Sequence, residues 1–127
     1  MHVIHEDDVH GDHIEAPFKR VIKHLSAPWL TLSSKNLWIG TSTVEPGNKT
    51  NAHSHDINEE VFYCISGTGV MIVDDEEQEY TAGTVVYVPP GAVHQVVNTG
   101  EEPLKSLCSV SPPFEEAQFR KDHDMEG

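Results

Sequence analysis

Seven short apolar runs, each about one strand long and each bounded by Gly, Pro, Asn or Asp, set the frame for this chain. They are RVIKHL (20–25), NLWIGTSTV (36–44), VFYCISG (61–67), GVMIVD (69–74), TVVYVP (84–89), VHQVVN (93–98) and LKSLCSV (104–110). Val, Ile, Tyr and Thr are frequent in them, and such β-branched and aromatic side chains pack well on a pleated sheet. Long helical periodicity is missing. The pattern predicts an all-β sandwich or barrel. The tail PPFEEAQFRKDHD is the one helix candidate, with Pro113 beginning a short helix that carries Phe114 and Phe119 inward.

At 127 residues the chain is expected to be one domain, 1–127, large enough to bury a core without disulfide staples. Twenty-one acids against eight bases leave a net charge of −13, which argues against a nucleic-acid backbone or an anionic membrane as partner. The acids at Asp74, Asp75, Glu76, Glu77 and Glu79 read as a solvated hairpin loop without function. Cys64 and Cys108 lie inside apolar blocks without metal-type spacing and read as buried free thiols of a reducing compartment, with a disulfide between them left open. The amino terminus has no basic start and no apolar stretch of signal-peptide length, and nowhere do eighteen apolar residues run together. A soluble, cytoplasmic protein is expected.

Nine histidines in so short a chain point toward metal, because imidazole is the commonest metal ligand. In HSHDINEE (53–60), His53 and His55 would share one face of a strand, with Cα atoms roughly 6.5 Å apart, a span two imidazoles can close onto one ion. Such a pair alone is more often surface than site. Glu59 and Glu60 follow, but the turn-forming DIN interrupts the strand, so periodicity leaves both glutamates open. Beyond the turn Glu60, Phe62 and Cys64 fall on one face, and Val61, Tyr63 and Ile65 on the other. His94 follows a Pro-Pro-Gly turn in GTVVYVPPGAVHQVVN (83–98), from which it can project toward the first cluster. His2, His5, His10 and His13 sit near a terminus without a visible framework and read as surface residues. His24 and His123 carry no pattern.

Two segments have fixed spacings. In the first, Gly47, His53, His55, Glu60 and Gly67 are separated by five, one, four and six residues; in the second, Gly83, Pro89, Gly91, His94 and Asn98 are separated by five, one, two and three. Together they resemble the paired motifs of the cupin superfamily, with motif 1 at 47–67 and motif 2 at 83–98. Ten matched positions, at roughly one in twenty each, make coincidence negligible. The resemblance implies a single-domain jelly-roll β-barrel with an interior cavity, N-terminal strands over 1–45 and a C-terminal helix or extended tail over 112–127. It selects Glu60 by the spacing to Gly67, and gives His53, His55, Glu60 and His94 as metal ligands. Phe62, Cys64 and Glu59 become the expected pocket residues, with Glu59 otherwise facing solvent. Gly47, Gly67, Gly83 and Gly91 take backbone roles at turns, Pro89 and Pro90 fix the approach to the strand carrying His94, and Asn98 holds a loop. An N-terminal edge strand is expected to pack against a second subunit in a homodimer.

Three imidazoles and a carboxylate are a borderline-to-hard ligand set. With two open cis positions they favour one octahedral Mn, Fe, Ni or Co ion per chain, with Zn if fewer ligands engage. The leading expectation is a metal-dependent enzyme acting on a small, chelating, oxygen-rich substrate: an oxo-acid, dicarboxylate or sugar acid, by decarboxylation, isomerisation or lyase chemistry. An Fe-dependent dioxygenase is the alternative within that class. A non-catalytic module that binds a small sugar or acid is the alternative outside it, and no general acid or base is identified to decide between them.

Overall fold

The computed structural model describes residues 1–122, with side chains through Arg120. Among them the strands are β1 (Asp12–Ile14), β2 (Arg20–Ser26), β3 (Trp38–Val44), β4 (Glu59–Ser66), β5 (Thr68–Val73), β6 (Glu76–Thr81), β7 (Val85–Val88), β8 (His94–Asn98) and β9 (Leu104–Ser111), followed by helix α1 (Glu116–Asp122). They build a six-stranded sheet, ordered β1-β2-β3-β9-β4-β7, and a three-stranded sheet, β6-β5-β8. All pairings are antiparallel. This is the all-β barrel expected, and its interior is read directly from strand alternation. β4 buries Glu60, Phe62 and Cys64, while β9 buries Leu104, Ser106, Cys108 and Val110. Trp38, Met71, Tyr80 and Val96 join them in the core. A fully buried large apolar side chain contributes about 1.5–3 kcal/mol, so this one-sided patterning closes the two sheets on each other.

Each of the seven expected runs lies on a strand. The acidic stretch between the fourth and fifth runs corrects the expectation of a loop: only Asp74 and Asp75 turn, and Glu76–Thr81 pair with β5 as β6. An edge strand tolerates exposed charge, and a charged edge discourages pairing with other chains. Tyr80 is its one buried residue, and its hydroxyl donates to Ser106 Oγ at 2.8 Å. Asp74 takes φ 50°, a left-handed turn conformation that Asp tolerates. β1 escapes the sequence reading because three residues carry too little pattern. The helix begins at Glu116 instead of Pro113. Pro113 disfavours helical geometry at the preceding residue, and Phe114 is committed to the barrel before the helix starts. Both Phe114 and Phe119 are buried, as expected. His123 and the end of the 112–127 tail lie outside the described residues.

Both cysteines are buried and free. Asn98 holds the loop after β8, donating from Nδ2 to Val44 O and Glu102 O at 2.8 Å each and accepting from Gly100 N at 2.9 Å. The four motif glycines all have positive φ. At Gly67 (φ 95°) the need is double, because a Cβ there would also lie 2.5 Å from Pro103 O.

His24, without pattern in the sequence, is at the centre of the aromatic end of the core. Its ring lies 5.0 Å from Trp29, 5.6 Å from Trp38 and 4.5 Å from Phe119. Trp38 Nε1–H can only donate, and it donates to His24 Nδ1 at 3.1 Å; His24 Nε2 therefore carries the proton and donates to Asp12 Oδ2 at 2.8 Å. Protonating Nδ1 would break the Trp38 bond. Burial holds the His24 pKa below its ordinary 6.5, against the opposing pull of Asp12. The unfolded chain thus binds the proton more readily than the folded one. The contribution is complete above pH 6.5 and is lost as pH falls below it. Urea midpoints of wild type and His24→Gln, measured from pH 7.5 to 5, should converge as the pH falls; a constant difference contradicts this account of His24.

Candidate metal centre

Residues 49–53 run beside β8 and extend the small sheet. Lys49 bridges Val97 and His53 bridges His94, with His53 N–H donating to His94 O at 3.1 Å and His94 N–H donating back to His53 O at 2.9 Å. The histidine pair is therefore not on a regular strand, as the parity argument assumed; one backbone exchange with His94 fixes it. Gly91 N–H holds His55 O at 2.8 Å, tying the Pro-Pro-Gly turn to the same loop. Asn58 of DIN donates to Pro112 O at 2.6 Å and anchors the other end of the loop to the C-terminal segment.

The result is a group of three imidazoles, His53, His55 and His94, whose ligand atoms lie within 4.8 Å of one another. Two nitrogens bound to one ion at about 2.0–2.1 Å can be at most ~4.2 Å apart, so small rotations close the group on a metal. Glu60 Oε1 lies 3.5 Å from Nε2 of both His55 and His94. The structure places Glu60 inward on β4 and Glu59 outward, where Tyr87 O–H donates to Glu59 Oε1 at 2.9 Å. Glu59 is thus no pocket residue, because alternation along β4 points it to solvent.

Tautomers follow from the carbonyls. His53 Nδ1 contacts Asn51 O at 2.9 Å and His94 Nδ1 contacts Ala92 O at 3.2 Å. A carbonyl oxygen only accepts, so both Nδ1 atoms carry the proton and each Nε2 keeps a lone pair. His94 Nε2 is buried without a hydrogen-bond partner, since 3.5 Å to Glu60 is too long. Burial, reinforced by the imidazoles packed beside it, lowers His53 to about 4. Burial works to raise the Glu60 carboxyl, and positive character on the flanking His55 and His94 imidazoles works to lower it. Three imidazoles beside a carboxylate are a donor set that a divalent transition metal fits.

His53 and Glu60 line an inner cavity of about 40 Å³, with Phe62 on its wall. Cys64 points inward but does not line this cavity; Cys108, opposite Phe62 in the β4–β9 register, takes the place expected of it. Burial pushes the Cys108 thiol well above its ordinary range, which makes it wall and not nucleophile. His55 faces a second, outer groove of about 990 Å³ between residues 54–58 and 112–118, and Phe114 borders both spaces. Sequence reasoning missed Arg20, which is 3% exposed and lines the inner cavity. Its signal was parity with Ile22, two residues on along β2. The N-terminal histidines His2, His5, His10 and His13 are exposed, and among the described residues the three-imidazole group is the one metal-competent cluster found.

Residues 40–110 match the Cupin_2 cupin domain, and the chain is a member of that family. An uncharacterized protein of Methanocaldococcus jannaschii is 38% identical over 76 residues, 60% of this chain and 61% of that protein. Auxin-binding protein 1 of Arabidopsis thaliana is 31% identical over 88 residues, 62% of this chain and 44% of that protein. The chain thus spans less than two thirds of either relative. A Thermotoga maritima structure described as a predicted oxalate decarboxylase superposes with a TM-score of 0.79 at 21% identity, covering 87% of this chain and 99% of that one, a likeness of fold. Among the described residues no helix is long and apolar enough to cross a membrane.

An ion bound only by the folded chain stabilises it, by about 4 kcal/mol at a thousandfold excess over Kd. For a domain of this size that is a rise of roughly 15 °C in Tm. Chelator treatment should remove this increment from wild type and leave His94→Ala unchanged; an unchanged wild-type Tm contradicts metal binding here.

Proposed function

We propose that this chain is a metal-dependent enzyme acting on a small, chelating, oxygen-rich acid, with His53, His55, Glu60 and His94 holding one divalent ion. The observation that carries the reading is the buried, hydrogen-bond-deficient Nε2 of His94, 3.5 Å from Oε1 of Glu60, which lines a cavity. A metal held there supplies Lewis-acid polarisation of a substrate oxygen. The chain does the rest: the carbonyls of Asn51 and Ala92 keep the rings in the coordinating tautomer, and Phe62, Phe114 and Phe119 keep bulk water from the reacting centre. Mn, Fe, Ni and Co suit the donors, with Zn at lower coordination.

A second reading, a binding module for a small acid, is supported by a specific observation. Among the described residues lining the inner cavity, Glu60 is the only carboxylate, so no separate side-chain base is evident. The 31% identity with a protein named for binding auxin points the same way. Reconstitution with each of Mn, Fe(II), Ni and Co, followed by a turnover screen over two- to six-carbon oxo-acids, hydroxy-acids and dicarboxylates, separates the two. Turnover that falls at least a hundredfold in Glu60→Gln supports the enzyme. Saturable acid binding without turnover under any metal establishes the binder, and oxygen uptake confined to Fe(II) establishes the dioxygenase alternative.

A further inference from the structure

The outward positions of the large sheet are not covered evenly. Across β2, β3 and β9 they hold the N-terminal segment down: Lys105 Nζ and Thr41 Oγ1 donate to the Glu6 carboxylate at 2.6 and 2.8 Å, and Lys23 Nζ donates to Glu6 O at 3.1 Å. Towards β4 and β7 the same face is exposed. Val61, Tyr63, Ile65, Val85 and Tyr87 are each between 36% and 62% exposed. Register joins them into one patch: Val61 pairs with Tyr87 and Tyr63 with Val85, while on the other flank Val61 pairs with Ser109 and Tyr63 with Leu107. Ile39, opposite Ser109 on β3, extends the same row.

An aromatic side chain can bury about 150–250 Å², so at these exposures the five side chains leave on the order of 400 Å² of mostly apolar surface open. An apolar patch of this size marks a contact surface. Each partner of a stable dimer buries about 800 Å², and half-buried Ile39, Leu107 and Ser109 carry the patch across four strands towards that size. Charge selects the partner. The chain carries −13, yet Glu59 and Lys105 are the only charged side chains at the outward positions of β3, β4, β7 and β9. Both are engaged, Glu59 by the Tyr87 hydroxyl at 2.9 Å and Lys105 by Glu6. A basic partner would find no acids here to meet, whereas a second copy of so acidic a chain can approach closely just where its charge is absent. We infer that two copies of this chain dimerise through the outer face of β4 and β7, sheet against sheet about a two-fold axis, with Tyr63 and Tyr87 as anchors. β7 and β1 are the two ends of the sheet, so this face is distinct from the N-terminal edge expected to carry a dimer contact. It backs onto β4, the strand that turns Glu60 inward.

Sedimentation velocity on the full-length chain, over a wide range of concentration, should show a species of twice the 14.1 kDa chain mass. Its association should tighten or hold as salt rises, since screening removes repulsion between like-charged copies. Val85→Glu and Tyr63→Glu each set a carboxylate against the other copy, and each should raise the dimer Kd at least about a hundredfold with near-ultraviolet circular dichroism unchanged. Hydroxyl-radical labelling of wild type needs no variant: in the dimer Tyr63 and Tyr87 should react about as slowly as Tyr80, which is buried inside the barrel. A chain that stays monomeric, a dimer that loosens with salt or persists in both variants, or a dimer whose Tyr63 and Tyr87 react much faster than Tyr80 overturns the inference. Protection of both tyrosines in a monomer, or in a complex with a different protein, overturns it as well.

Discussion

A carboxylate buried against imidazole lone pairs, inside an otherwise apolar barrel, is the constraint around which this structure is arranged. Glu60 is 6% exposed, and an isolated charge at that depth would carry a desolvation penalty of several kcal/mol. The chain meets it by rigid placement. Glu60 sits mid-sheet on β4, registered against Val88 of β7 and Val110 of β9, so its side chain has one direction available. His94 opens β8, and the paired backbone bonds between His53 and His94 bring the two sheets' contributions to one point. At that point the four side chains are placed to meet one divalent cation, as proposed above.

The N-terminal strands and the C-terminal segment close the barrel around the site. Trp38 and Phe119 stack at 5.6 Å, Phe114 lies 5.4 Å from Trp38 and 4.9 Å from His55, and Trp29 Nε1–H holds Phe114 O at 3.2 Å. His24 and Asp12 brace that cluster from β2 and β1. Residues outside the two motifs thus determine how enclosed the centre is. They also supply Arg20, the buried cation of the cavity.

Much of this was legible in the sequence. β-branched runs and their stops gave the strands, because burial on one face enforces period-two patterning. The ligand set was legible only through the spacing of two motifs, since the DIN turn breaks parity and local pattern cannot choose between Glu59 and Glu60. Three features were hidden for physical reasons. β6 reads as an acidic loop because an edge strand buries little, and Tyr80 alone marks it. The roles of His24 and Arg20 depend on partners far away in sequence, such as Asn51, which is 31 residues from Arg20. Cys64 and Cys108 share inward parity on paired strands, and only the three-dimensional register puts Cys108 on the cavity wall.

The central claim is that these four side chains hold one cation. Elemental analysis of the full-length chain purified without added metal tests it most directly, alongside the variant His55→Ala. The account predicts about one divalent transition-metal ion per wild-type chain and loss of most of it in the variant. A wild-type chain that stays metal-free after exposure to Mn, Fe, Co, Ni and Zn, or a variant that keeps full stoichiometry, would contradict it.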